Sequence, residues 1–150
     1  MDLRCQDPLF EERVRSSFAR QAFMATIGAR IAAVAPGRAV LELPFNPSLT
    51  QQHGFLHAGV VAALADNACG FAALSLMPPG AAVMSVEFKI NLMAPAAGAL
   101  FTATGRVVRA GRTLTVCSAE VAAIDGDRQK VVALMQATMM SVQGRPGLSD

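Results

Sequence analysis

The sequence contains no tryptophan and no tyrosine, has only three cysteines, and charges just 16% of its 150 residues. Each shortage excludes something. Without Trp and Tyr the usual base-stacking platforms are missing, leaving only Phe, and the eleven Arg are dispersed rather than gathered into a stripe, so no nucleic-acid surface is expected. Cys5, Cys69 and Cys117 are odd in number, far apart, and have no partner at metal-ligand spacing, which argues against a disulfide framework or a zinc site. Cys69 and Cys117 are expected as small buried apolar residues. No apolar run approaches the ~20 residues of a membrane-spanning helix. The opening MDLRCQDPLFEERVR is charged throughout and lacks the apolar core and cleavage site of a secretory signal, so a soluble, cytoplasmic protein with no membrane partner is expected.

The scarcity of charge also says something positive. With 53% hydrophobic residues and well under the roughly 25% charge usual for soluble domains, the chain cannot comfortably solvate the whole of a monomer's surface. Association with further copies is expected, as a homodimer and as a pair of such dimers. The length suits one domain over residues 1–150, large enough to bury about two thirds of the surface its unfolded chain would expose.

Apolar Phe10, Val14, Phe18 and Phe23 recur at close to the helical period, predicting an amphipathic N-terminal helix from about Pro8 to Ile27, within residues 1–27, that stops at Gly28. ARIAAVA and RAVLELP, separated by Pro36 and Gly37, predict a hairpin. Asn46 to His57 is a polar loop. Residues 58–76 are Ala, Val, Leu and Gly almost throughout and are followed by Pro78, Pro79 and Gly80, predicting a long buried helix. Four strand-like runs follow, AVMSVEFKINLM, ALFTATGRVVRA, RTLTVCSAEVAAI and QKVVALMQATMMSV, the middle two joined by a tight turn at Ala110 and Gly111. The fold class is α+β: an antiparallel sheet curled around one central helix. That helix is apolar on nearly every side, so the sheet and a second subunit must cover it.

One residue in that helix has no ordinary reason to be there. Between Glu42 and Glu87 the chain contains a single acidic residue, Asp66, and no Lys or Arg. Asp is a poor helix former, and an unpaired buried charge is costly. Either it is protonated or neutralised by a distant Arg, or it faces a cleft between subunits and is tuned for reaction. At the start of the same helix, His57, Ala58 and Gly59 lie where backbone N–H groups lack partners and where the helix dipole would polarise a carbonyl oxygen. The eight residues from Ala58 to Asp66 span roughly 12 Å along a helix. One copy cannot bring both to one carbonyl carbon, so joint action requires the helix start of one subunit and Asp66 of an antiparallel neighbour.

The run QQHGFLHAGVVAALADNACGFAAL resembles the hotdog-fold thioesterases of the phenylacetate-pathway type, in which an HGG loop opens the central helix and an acid follows nine positions after its His. The likeness extends through SVEFKINLMAPA and VVRAGRTL to about Met140. It implies a hotdog fold and hydrolysis of an acyl-coenzyme A thioester, with aryl and medium-chain acyl groups both open. It also implies that the Ala58 N–H holds the carbonyl, that Asp66 attacks it or activates a water, and that Gln51 orients carbonyl or water. His57 would fix the loop rather than act as the base. The commonest residue at position 58 in the family is Gly, and here it is Ala. Ser85 matches a polar position beside the reaction centre, and Arg109, Gly111 and Arg112 match a turn near the nucleotide end of coenzyme A. No metal or separate cofactor is implied, coenzyme A being part of the substrate. Two other readings compete: a hotdog enoyl-CoA hydratase or dehydratase, and a non-catalytic acyl-CoA binding module.

Overall fold

A computed structural model describes residues 3–150. Its centre is a helix of 17 residues, α3 (Ala58–Leu74), against which one six-stranded antiparallel sheet packs. Ahead of it come α1 (Phe10–Ala19), α2 (Ala22–Ile27), β1 (Arg30–Ala35), β2 (Arg38–Pro44) and a 3₁₀ turn at Pro47–Leu49; after it come β3 (Ala82–Leu92), β4 (Leu100–Ala110), β5 (Leu114–Asp125) and β6 (Arg128–Val142). The strand order is β1-β2-β4-β5-β6-β3, which leaves β1 and β3 as edges.

Alternation explains the sheet. In β4 Phe101, Ala103, Gly105 and Val107 are buried, with less buried or exposed residues between them, the period of a strand with one face on a core. The core joins these residues to Leu41 and Leu43 of β2, to Leu64, Ala68 and Phe71 of α3, and to Val121 and Met139. Helix and sheet meet closely at Gly105, where an added Cβ would lie 2.1 Å from the Ala68 carbonyl oxygen. Only glycine admits that approach. Cys69 and Cys117 are fully buried, and burial pushes the Cys117 thiol up to about 12 and raises the Cys69 thiol as well.

The expected central helix over 58–76 ends slightly early, at Leu74. Ser75 stops it by turning its hydroxyl inward, donating to the Ala72 carbonyl at 2.7 Å and accepting the Gly37 N–H at 2.8 Å. The expected single N-terminal helix within 1–27 is two helices, Met1 and Asp2 lying outside the described residues. Gln21 adopts an extended conformation between them (φ −80, ψ 99). A straight twenty-residue helix would run about 30 Å; the break at Gln21 bends the segment, and Met24 and Ile27, as well as Val14, are buried in the core. Phe23, expected on the apolar face, is 55% exposed. Gly28 closes α2 in the left-handed region (φ 80), as expected.

Arg13 ties this segment to α3. Its guanidinium donates to the carbonyls of Leu74, Met77 and Pro78 at 2.8, 2.7 and 2.6 Å and faces Asp7 at 3.4 Å. A cation thus closes the negative end of the helix dipole. Among the described residues no helix is long and apolar enough to cross a membrane.

Candidate active site

The loop before α3 is shaped by its own backbone. Gln51 N–H reaches the Phe55 carbonyl at 2.9 Å, Gly54 N–H the Gln51 carbonyl at 3.0 Å, and His57 N–H the Leu49 carbonyl at 2.9 Å. Gly54 supplies the positive φ, 84°, that so tight a loop requires. His57 is thereby delivered to the N-cap position (φ −62, ψ 137), where its Nδ1 accepts the Gly59 N–H at 2.9 Å. A Cβ at position 59 would lie 3.0 Å from that nitrogen, so glycine is what lets the imidazole close onto the helix. The Val60 and Val61 N–H groups both return to the His57 carbonyl, at 3.0 and 3.1 Å. A helix start leaves its first N–H groups without intrahelical partners, and the loop engages those of Gly59, Val60 and Val61. The Ala58 N–H alone in this turn has no acceptor among the described residues.

Gln51 is turned by a second local bond. Its Oε1 accepts the His53 N–H, so the amide Nε2, a donor only, is the end left for other partners. Gln51 and Ala58 line one cavity of about 340 Å³, whose remaining side chains, among them Phe55, Leu56, Val61 and Val132, are all apolar.

Asp66 lines a different cavity, of about 110 Å³, together with Gln21, Asn67, Gly70, Phe71, Val83 and Ser85. The two share no residue. Ser85 donates its hydroxyl to Asp66 Oδ1 at 2.7 Å, and a bulge in β3 makes that possible. Ser85 pairs with Met139 and Glu87 with Thr138, leaving Val86 as the extra residue, so Ser85 faces α3 while Glu87 faces away. Burial raises the Asp66 carboxyl above the ordinary carboxylate value, and the Ser85 hydrogen bond partly opposes that rise. None of the ion pairs among the described residues includes Asp66. A half-buried carboxylate held by one hydroxyl, with no cation to neutralise it, has the chemistry that a nucleophile or base requires.

Of the residues singled out from the sequence, the fold therefore brings together Gln51, His57, Ala58 and Gly59 at one place and Asp66 with Ser85 at another. Arg109, Gly111 and Arg112 join neither group. Ala110, Thr115, Met139 and Ser85 form one cross-strand row, which sets the β4–β5 turn about 14 Å from Ser85 at the usual strand spacing. Gly111 also has a steric role, since a Cβ there would lie 2.5 Å from the Leu114 carbonyl oxygen. Gln21 was not anticipated. It lies some forty-five positions before Asp66 and its approach depends on the bend between α1 and α2. A wider depression of about 730 Å³ on the outer face of the sheet, lined by Lys89, Arg106 and Glu120 among others, contains none of these residues.

A family model described as the thioesterase superfamily matches residues 53–130. The crystal structure of a thioesterase family protein from Silicibacter pomeroyi is 50% identical, superposes with a TM-score of 0.89, and covers 90% of this chain and 99% of its own. The 1,4-dihydroxy-2-naphthoyl-CoA hydrolase of Listeria monocytogenes is 29% identical over 114 residues, 76% of this chain and 90% of the hydrolase. The chain spans about two thirds of the length of several further curated relatives, 64% to 66%. The PaaI protein of the phenylacetic acid degradation operon of E. coli shares the fold, with a TM-score of 0.81 at 24% identity over 90% of this chain and 94% of that one.

Proposed function

The chain belongs to the thioesterase superfamily and is a thioester hydrolase with the hotdog fold, and on that premise we propose that it cleaves acyl-coenzyme A thioesters at sites each assembled from two protomers. The hydratase and the purely binding readings give way to this one. One observation carries the composite site: Gln51 and Ala58 line one cavity of the protomer, whereas Asp66 and Ser85 line another. A two-fold axis that sets two α3 helices antiparallel unites the first set from one protomer with the second from its neighbour. The edge strand β3 supports such pairing, because Val86, Phe88 and Leu92 are 52%, 45% and 54% exposed, an apolar edge that a lone protomer would leave prone to aggregation. Met84, Val108, Leu114 and Leu134, also exposed, offer area for two dimers to associate.

In the composite site the thioester carbonyl accepts the Ala58 N–H and the Gln51 Nε2–H, at the positive end of the α3 dipole. Asp66 of the other protomer attacks the carbonyl carbon, or takes a proton from a water that does. The C–S bond then breaks and coenzyme A leaves as the thiolate; water, attacking the thioester directly or hydrolysing the acyl–Asp66 anhydride, supplies the oxygen of the acid, and its two protons go one to the thiolate and one to the acid. Ser85 fixes the carboxylate oxygen that is not attacking. Arg109 and Arg112, exposed on their turn, meet the phosphates of coenzyme A. The acyl group is aryl or medium-chain, and a cytoplasmic location suits a coenzyme A substrate.

The test deletes one hydrogen. Ala58 is the first helical residue, where proline is well tolerated, and His57 already has the extended conformation that a following proline requires. Ala58→Pro removes the proposed oxyanion donor while keeping the helix. Release of free thiol from acyl-CoAs should fall by about 10²–10³-fold in kcat, with circular dichroism unchanged. An undiminished rate would take the Ala58 N–H out of the reaction, and hydration of enoyl-CoA without thiol release by the wild type would overturn the proposed hydrolysis.

A further inference from the structure

Glycine inside a helix weakens it relative to alanine, and Gly70 lies well inside α3. Two other glycines at the site and at the helix–sheet contact answer a steric demand: Gly59 makes room for the His57 ring, and Gly105 for the backbone of Ala68. At Gly70 an added Cβ would meet nothing within 4 Å. Packing within the protomer gives no reason for it. Gly70 follows Asp66 by four residues, one turn further along the same helix face, and it lines the same cavity as Asp66, Phe71, Val83 and Gln21. The space its missing side chain would occupy is therefore cavity space next to the carboxylate.

We propose that Gly70 is a specificity-determining residue that sets the size of the acyl group this site accepts. This rests on the reading of Asp66 as the attacking or proton-accepting carboxylate. A thioester carbon within reach of Asp66 carries its acyl substituent alongside α3, and the notch over Gly70 is open to receive it. Phe71 and Val83 are its apolar lining, and Gln21, brought in by the bend between α1 and α2, lines it as well. At about 110 Å³ within one protomer, the notch is smaller than the roughly 150 Å³ engineered cavity that binds benzene. It takes part of an acyl group, the edge of a ring or the first few carbons of a chain, and any side chain at position 70 shortens it.

The experiment measures kcat/KM of the full-length wild type, Gly70→Ala and Gly70→Leu with acetyl-CoA, hexanoyl-CoA and benzoyl-CoA. The benzoyl-to-acetyl and hexanoyl-to-acetyl ratios should fall about tenfold or more in Gly70→Leu and by less in Gly70→Ala, which folds at least as well because alanine is the better helix former. Equal losses on all three substrates would overturn the proposal and make Gly70 a packing position; sedimentation showing separated protomers would identify that packing. Val61→Phe narrows the other cavity, and size discrimination arising there instead would also overturn it. A wild type inactive on every acyl-CoA defeats the hydrolase reading itself, whereas equal losses from an active wild type defeat only the role of Gly70.

Discussion

His57 Nδ1 accepts the Gly59 N–H at 2.9 Å, and that bond commits the acceptor nitrogen of the imidazole to the helix start. The other ring nitrogen then carries the proton, so the ring has no lone pair with which to take one from water. In the proposed mechanism its task is to hold the first turn of α3, where the Ala58 N–H is left for the thioester carbonyl. His57→Ala should cost about 1 kcal/mol of stability as a lost N-cap and lower kcat/KM. His57→Asn, whose side-chain oxygen can cap in the same way, should recover most of both. Recovery of stability without recovery of rate, in urea unfolding and thiol-release assays, would give the imidazole itself a chemical role.

In the proposed mechanism the Asp66–Ser85 pair makes the rate depend on pH in a definite direction. Burial raises the Asp66 carboxyl and the Ser85 hydrogen bond lowers it. If the reactive form is the carboxylate, activity rises with pH through a limb displaced above the ordinary carboxylate value, and Ser85→Ala should move that limb higher still. The sign for stability is opposite. A carboxyl raised in the folded state binds its proton more tightly there than in the unfolded chain, so stability declines as pH climbs from the ordinary value through the raised one. Asp66→Asn should therefore abolish turnover yet unfold at a higher temperature than the wild type at neutral pH. That gain should vanish in acid, as thermal scans across the pH range can show.

Arg13 stabilises the opposite end of α3. Its side chain is 9% exposed and satisfies three carbonyls at the helix end, while Asp7 balances its charge. Removing one member of a buried charged network leaves the others uncompensated. Arg13→Met should cost about 3 kcal/mol or more, measured by chemical denaturation, and should loosen α1 from α3. A loss below about 1 kcal/mol, the worth of an exposed pair, would mean that water replaces the guanidinium there.

What the sequence reveals and what it hides divide along the range of the interactions. Strands β1 to β6 are legible because alternation and turn residues are local; α3 is legible because seventeen mostly small, apolar residues run without a breaker. The bend at Gln21 is not, since it answers to the shape of the sheet and of α3 rather than to its neighbours. Nor is the contact of Arg13 with Leu74, Met77 and Pro78, which spans 61 to 65 positions. Within the candidate site, Asp66 stands out as a lone acid in an apolar helix. The hydrogen bond of His53 that turns Gln51 into a donor and the bulge that turns Ser85 inward cannot be read from residue types. Gly70 passes unnoticed in the sequence because its significance is the empty space beside it.

The division of Gln51 and Ala58 from Asp66 leads to a test that no single-protomer mechanism survives. Ala58→Pro should lack the carbonyl donor at both sites of a dimer, and Asp66→Asn the carboxylate at both, so each variant alone is nearly inactive. When the two are unfolded together in equal amounts and refolded, half of the dimers pair one variant with the other. Each mixed dimer has one site doubly damaged and one intact, the intact site taking its Ala58 N–H from the Asp66→Asn protomer and its carboxylate from the Ala58→Pro protomer. Activity should return to about a quarter of the wild-type level. Refolding the variants separately and then mixing them should restore less if the protomers exchange slowly. No recovery after joint refolding, with mixed dimers demonstrated by native mass spectrometry, would return both groups to one protomer, against the roughly 12 Å that α3 sets between them.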